Sequence, residues 1–318
     1  MKVKFFGTRG SIPVCGKEMN GYGGNTTCLQ VESSCLPDGF ALVVDGGSGF
    51  MPLSSELLQK GIYTIHMLLS HHHHDHTQGI LLSPAVYSPK IRFELYGPVE
   101  SGIGPKQMMQ HIMRPPFHPV SFKLVSNRFS CHSLDTPQTN VIVFHPEGGV
   151  RKVGVEVLDG VEGHRPSQIR LGGGFYDIRE CLVVRMARTE HPERTISYRF
   201  EERPTNKVFV FLTDHENTDG VPVHLRPHLM GVDLLVMDSQ YSRETYDRRT
   251  SGFGHGTPDY CVKVARTVGA KKLGLTHHDP LSTDEMINAM LAEARESALS
   301  PRYTGKIFAC RDYQEVEV

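Results

Sequence analysis

Four consecutive histidines, placed directly after an apolar strand inside the chain, restrict what the surrounding polypeptide can build. Thr64 to Leu69 reads as a buried strand and runs straight into Ser70-His71-His72-His73-His74-Asp75-His76-Thr77-Gln78-Gly79. A loop at a strand end is where a rigid scaffold places reactive groups. A purification-tag fragment would lie at a terminus, so this run belongs to the fold. Read backwards from Asp75-His76, the register is H-x-H-x-D-H, which singles out His71, His73, Asp75 and His76 and leaves His72 and His74 as spacers. With two-residue spacing, His71 and His73 project from one side of an extended loop toward one ion, while the turn at Asp75-His76 offers an oxygen and a nitrogen to a second. A catalytic zinc-type ion takes about three protein ligands and keeps a position open. Two ions therefore need further ligands from elsewhere.

Composition points the same way. Histidine, the commonest side-chain metal ligand, occurs 18 times in a chain without tryptophan. The 34 Lys+Arg and 35 Asp+Glu nearly cancel over 318 residues, so no global field favours nucleic acid or an anionic membrane. That balance disfavours a nucleic-acid partner while leaving one open; an anionic substrate has to be attracted locally. Seven scattered cysteines without C-x-x-C pairs read as reduced thiols. Together with Met1-Lys2-Val3-Lys4-Phe5-Phe6-Gly7, which lacks a signal-peptide core, they imply a cytoplasmic protein. No apolar run approaches the ~20 residues of a membrane span.

The opening of the chain is β-rich: Val3 to Phe6, Cys28 to Glu32 and Phe40 to Val44 have strand character, the last ending at Asp45-Gly46-Gly47. Helical spacing covers Leu53 to Lys60. Later apolar strands at Val208 to Leu212, Leu234 to Met237 and Lys272 to Leu275 end respectively at Thr213-Asp214, Asp238 and His277-His278-Asp279. Helices are predicted at Pro258 to Val268 and, behind the capping-type Ser282-Thr283-Asp284-Glu285, at about Asp284 to Ser297. Strands alternating with helices after an all-β start predict a layered α/β architecture with the sheets inside. We expect one domain over 1–318, in which the glycine-rich, irregular 148–174 region is an insertion, a lid or an ordinary surface loop.

The H-x-H-x-D-H element at a strand end, followed by isolated His, Asp and His residues, resembles the metallo-β-lactamase superfamily. Gly7-Thr8-Arg9-Gly10-Ser11-Ile12-Pro13, Tyr22-Gly23-Gly24-Asn25-Thr26-Thr27-Cys28 and Val44-Asp45-Gly46-Gly47-Ser48-Gly49 are similar to the N-terminal blocks of its branch of transfer-RNA 3′-processing endonucleases and cyclic phosphodiesterases. The resemblance implies an αββα sandwich with two mixed β-sheets flanked by helices. It also implies ligand roles for His191 in His191-Pro192-Glu193-Arg194, for Asp214 as a bridge, and for His277. His71, His73 and His191 would then hold one ion, and Asp75, His76 and His277 the other. His278 competes with His277, and His145 with His191. In the same branch a Trp-Gly-His-Ser-Thr-like block corresponds to Gly252-Phe253-Gly254-His255-Gly256-Thr257, with Phe253 and Gly256 replacing tryptophan and serine. His255 is thereby the candidate proton donor or phosphate contact. Asp45 is expected to support a ligand histidine, Arg9 and Asn25 to reach substrate or pin their loops, and His118 to line the pocket.

Two divalent ions, zinc first with manganese and iron as alternatives, would hold a bridging hydroxide as nucleophile, with Asp75 and Asp214 as catalytic carboxylates. The resulting expectation is a phosphodiesterase acting on a small cyclic or diester phosphate, with a homodimer possible. Two alternatives remain open: hydrolysis of a lactone, thioester or β-lactam on the same fold, and a non-hydrolytic diiron redox or oxygen-sensing module. His73 weighs against the latter, because oxidase relatives tend to carry an acidic residue in the first motif.

Overall fold

Side-chain alternation along the strands decides the layering. The computed structural model describes residues 1–163 and 167–318. Its strands begin with β1 (Lys2–Gly7), β2 (Cys28–Glu32), β3 (Phe40–Val44), β4 (Thr64–Leu68), β5 (Arg92–Pro98) and β6 (Phe129–Leu134). There follow β7 (Asn140–His145), β8 (Gly149–Gly154), β9 (Gln168–Leu171), β10 (Gly174–Asp177), β11 (Leu182–Arg188) and β12 (Ile196–Glu202). The last are β13 (Lys207–Leu212), β14 (Leu234–Asp238), β15 (Lys272–Thr276), β16 (Lys306–Ala309) and β17 (Glu315–Glu317). Seven of them form a sheet in the order β17-β1-β2-β3-β4-β5-β6, and eight form a second in the order β16-β15-β14-β13-β12-β11-β7-β8.

One set of alternate residues, including Phe5, Val31, Leu42, Val44 and Leu68, faces Phe144, Val184, Tyr198, Phe200, Phe211 and Val236 of the other sheet, making the central core. The opposite set on the first sheet, including Val43, Ile65, Met67 and Phe93, buries against Phe50, Leu53 and Leu57 of helix Phe50–Gln59. On the second sheet, Val210, Leu235 and Leu273 pack with Val262, Ala265 and Val268 of helix Pro258–Val268. β4 is buried along its whole length, as strands covered on both faces are. The result is the αββα sandwich.

Both sheets are mixed. β3-β4-β5-β6 run parallel in one and β13-β14-β15-β16 in the other. The C-terminal ends of parallel strands are where α/β folds open a crevice for ligands, and the histidine loop leaves β4 at such an end. Among the described residues, no helix is long and apolar enough to cross a membrane.

Two expectations need correction. The helix begins at Phe50 rather than Leu53, with Pro52 in its first turn, where backbone N–H groups lack helical partners anyway. The 148–174 region is not irregular: it supplies edge strand β8, helix Val155–Glu162 and β9, which pairs with the following β10, while His164, Arg165 and Pro166 lie outside the described residues. Its Val153, Leu158, Ile169 and Leu171 bury against Val141, Val143 and Val183 on the outer face of β7 and β11. Elements this short, punctuated by glycines, carry too few repeats for a period to show.

Candidate metal centre

Residues far apart in the chain meet because their strands end at one edge. Asp45 follows β3, Ser70 and His71 follow β4, Asp214 follows β13, Asp238 closes β14 and His277 follows β15. His191 lies on the connection between β11 and β12, whose antiparallel pairing returns the chain to the same edge. Asp45, Asp214 and His277 all adopt left-handed backbone, with φ of 58°, 47° and 61°, an uncommon conformation for residues with a Cβ and one concentrated at functional sites.

Two groups of ligand atoms result. His71, His73, His191 and Asp214 form one and Asp75, His76 and His277 the other, each with its atoms within 4.8 Å of one another. Asp214 stands between them: its Oδ1 is 3.6 Å from both His71 Nε2 and His277 Nε2, and its Oδ2 is 3.4 Å from His76 Nε2. Asp75 Oδ2 lies 3.4 Å from His76 Nε2 and 3.2 Å from His277 Nε2. The same oxygen accepts a 2.7 Å hydrogen bond from the Ser11 backbone N–H.

Outer hydrogen bonds decide which ring nitrogens carry lone pairs toward this space. His76 Nδ1 donates to Asp45 Oδ2 at 2.8 Å. Asp45 also accepts from Ser70 N at 2.7 Å and Ser70 Oγ at 2.8 Å, and that hydroxyl meets His71 Nδ1 at 3.1 Å. His277 Nδ1 donates to Gln240 Oε1, whose amide is oriented by Nε2 donating to Ser11 Oγ, both at 3.2 Å. His191 Nδ1 donates to the Gly254 carbonyl at 2.9 Å. The Nε2 atoms of His76 and His277 consequently face each other, 3.2 Å apart, with Asp75 Oδ2 3.4 and 3.2 Å from them. The buried Nε2 atoms of His71 and His191 have no hydrogen-bond partner. Buried polar atoms left so cost on the order of 1–3 kcal/mol each, and two imidazole nitrogens this close, facing two carboxylates, need a proton or a metal ion between them. The donor set fits divalent metal ions.

Electrostatics agree. Burial, aided by His76, pushes His71 well below the usual imidazole range. Burial opposes charge on His76 and His277 as well, but Asp214 and Asp75 outweigh it, pushing His76 well up and His277 to about 9. Burial would raise Asp75 and Asp214, yet the surrounding imidazoles hold both well below the carboxylate range. The carboxylates thus favour positive charge in the space between the rings, whether carried by protons or by a bound cation.

His255 sits beside the groups, its Nδ1 2.7 Å from Asp238 Oδ2 and its ring stacked on His277 at 5.0 Å. A ring nitrogen of His255 lies within 4.8 Å of ligand atoms of Asp214 and His277. Ser11, His72, His73, His74, Asp75, Asp214, His255 and His277 line an open cleft of about 450 Å³. The nominal spacers His72 and His74 thus form part of its wall.

Other expected residues lie elsewhere. His278 turns away, with its Nε2 donating to the Cys310 carbonyl at 2.9 Å. His145 ends β7, which runs antiparallel to β11 and so finishes at the opposite edge of the sheet, where its Nδ1 accepts from Glu147 N and Gly148 N. His118, expected to line the pocket, is buried on its own turn with Nδ1 2.7 Å from the Val120 carbonyl; it is not among the cleft residues. Arg9 and Asn25 pin loops rather than reach the cleft. The fully buried Arg9 guanidinium donates to the carbonyls of Gly23, Asp279 and Ser282, and Asn25 Nδ2 donates to the Phe6 carbonyl. No described residue of 148–174 lines the cleft. Ser70, Gln240 and the orienting role of Asp238 were not anticipated; only Asp238, at a strand end, had a sequence signal.

A family model described as a beta-lactamase superfamily domain matches residues 43–278. The chain belongs to the metallo-β-lactamase superfamily. It is 24% identical over 345 residues to a ribonuclease Z of Haloarcula marismortui, covering 100% of this chain and 97% of the relative. Among solved structures it resembles unliganded yeast PDE1, at TM-score 0.66 and 14% identity, covering 100% of this chain and 99% of that one. Human tRNase Z, short form, gives TM-score 0.57 and 18% identity, covering 100% and 99%. These likenesses establish the shared fold, and the matched span contains both ligand groups.

Proposed function

We propose that this chain is a hydrolase that uses two divalent metal ions to cleave phosphodiester bonds in small cyclic or diester phosphates. The carrying observation is the pair of ligand groups meeting at Asp214 beside the Asp238-His255 pair. His71, His73, His191 and Asp214 would hold one ion, and Asp75, His76, His277 and Asp214 the other. Zinc is the first choice, with manganese and iron suited to the same ligands. When bound, the ions would lower the pKa of water from about 15.7 toward about 7 and offset charge on phosphoryl oxygens. Asp45 and Ser70 hold the ring orientations of His76 and His71. Asp238 fixes His255 so that the opposite ring nitrogen can pass a proton to the leaving alkoxide. Whole-length similarity to ribonuclease Z supports a second reading, in which the diester belongs to RNA. We read the 318 residues as one domain.

The test is metal analysis with turnover of bis-(p-nitrophenyl) phosphate, 2′,3′- and 3′,5′-cyclic nucleotides and a 3′-extended RNA. We expect about two equivalents of metal, with metal and turnover lost together in Asp214→Ala. His255→Ala keeps its metal but falls ~10²-fold or more on cyclic nucleotides, and less on the p-nitrophenyl ester, whose leaving group needs little protonation. Bound metal without turnover of any phosphodiester would refute the function and spare the site.

A further inference from the structure

The segment that follows Asp214 makes contacts that none of the roles described above uses. His215 Nδ1 accepts from the Glu190 N–H at 3.1 Å, and the Glu216 N–H donates to the Glu190 carbonyl at 2.7 Å, which together hold the residue before His191. Asn217 Oδ1 accepts from the Thr257 N–H at 3.2 Å, and its Nδ2 donates to Thr257 Oγ1 at 3.0 Å. Glu216 Oε2 accepts from the Gly254 N–H at 2.6 Å, while Oε1 accepts from the Tyr246 hydroxyl. Gly254 and Thr257 flank His255-Gly256. One short run of chain therefore grips the loops of both His191 and His255.

Gly254 couples the two histidines. Its carbonyl accepts from His191 Nδ1 at 2.9 Å, and His255 is the next residue, with its ring 5.5 Å from that of His191. The φ of +91° at Gly254 is open to glycine and holds only while its neighbours fix it. The Glu216 carboxylate supplies that restraint at the N–H, as a charged acceptor whose hydrogen bonds are stronger than those of a neutral one. Among the described residues it makes no ion pair; its two partners are the neutral donors of Gly254 and Tyr246.

Resting on the reading of the site given above, we infer that Glu216 is a positioning residue: acting through Gly254, its carboxylate sets the orientation of His191 and the reach of His255 toward the leaving group. Glu216→Gln keeps both contacts, with the amide oxygen accepting from Gly254 and the NH2 donating to the Tyr246 oxygen. Glu216→Asp keeps the charge but withdraws the carboxylate by one methylene. Glu216→Ala removes the acceptor.

The experiment compares these three variants with wild type in the full chain by three readouts. In the metal-free protein, exchange of the Gly254 amide should be about tenfold faster or more in the Asp and Ala variants and unchanged in the Gln variant. Zinc affinity, read by chelator competition, should fall about tenfold in the same two and be kept in Gln. At saturating metal, kcat for a cyclic nucleotide should fall about tenfold in both, with KM and turnover of the p-nitrophenyl diester little changed. A merely structural role would lower both substrates together. Wild-type exchange and zinc affinity in Glu216→Asp and Glu216→Ala, or equal losses on the two substrates, would overturn the inference, as would a Gln variant as impaired as Ala. If Glu216→Ala does not fold, Glu216→Asp carries the same expectations. A wild-type chain that binds metal but cleaves no phosphodiester would instead overturn the functional reading, and amide exchange and zinc affinity then decide the role of Glu216.

Discussion

Replacing Asp45 by asparagine isolates how much the outer hydrogen bonds contribute to the metal centre. Asp45 is fully buried and accepts from His76 Nδ1, Ser70 Oγ and Ser70 N at 2.8, 2.8 and 2.7 Å. Its φ of 58° is a conformation that asparagine also tolerates, so the backbone should hold where alanine would strain it. The asparagine oxygen can keep the Ser70 N–H, but its NH2 then meets His76 Nδ1–H, donor against donor. His76 escapes the clash by moving its proton to Nε2, the atom that faces His277 and Asp214. Losing such an orienting partner typically costs 10–100-fold in metal affinity, which is about 1.4–2.7 kcal/mol. The shared hydroxyl of Ser70 also reaches His71, so the upper half of that range is expected. Chelator-competition titration of wild type and Asp45→Asn at one pH measures it, with melting of the metal-free proteins to verify folding. Affinity within twofold of wild type in a folded variant would refute the assigned tautomers, and with them the case for a cation between His76 and His277.

His66 should make stability depend on pH away from the site. It is buried beside Phe40, Tyr96 and Phe144, both ring nitrogens lack hydrogen-bond partners, and burial lowers its pKa to about 4. The unfolded chain takes up this proton near pH 6.5, so the stability present above that pH is lost as pH falls toward 4, by about 3 kcal/mol in all. The difference in urea unfolding free energy between wild type and His66→Phe should change by about 2.5 kcal/mol between pH 7 and 4.5; a constant difference would show that the ring is not held neutral. Gly254→Ala should weaken metal binding without touching a ligand. Gly254 has φ +91°, and a Cβ there would stand 2.1 Å from His191 Nδ1. A chelator-competition loss of at least about tenfold is expected, and an unchanged affinity would mean that His191 does not depend on this loop.

Much of the site was legible from the chain alone, because metal ligands cluster in local registers and at strand ends. The H-x-H-x-D-H element, the strands ending at Asp214, Asp238 and His277, and helices Pro258–Val268 and Asp284–Ser297 each rest on patterns spanning a few turns or a single strand. The two-sheet architecture came through resemblance, since a mixed sheet order cannot be read from periodicity. β5, β6, β7, β11 and β12 had no assignment from the sequence, although β11 and β12 bring His191 to the site.

Choices between neighbours or look-alikes depended on tertiary structure. His277 and His278 differ by one position, and backbone conformation sends one to the cluster and the other to Cys310. His145 and His191 both precede proline, and the direction of β7 places them at opposite edges. Arg9 and Asn25 sit in glycine-rich blocks open to either role, and burial against backbone carbonyls decides for loop anchoring. Chain chemistry determined which residues could bind a metal, because donor type and local spacing are properties of the sequence. How the ligand rings are oriented follows from contacts between segments far apart in the chain, which only the packed sheets bring within hydrogen-bonding distance.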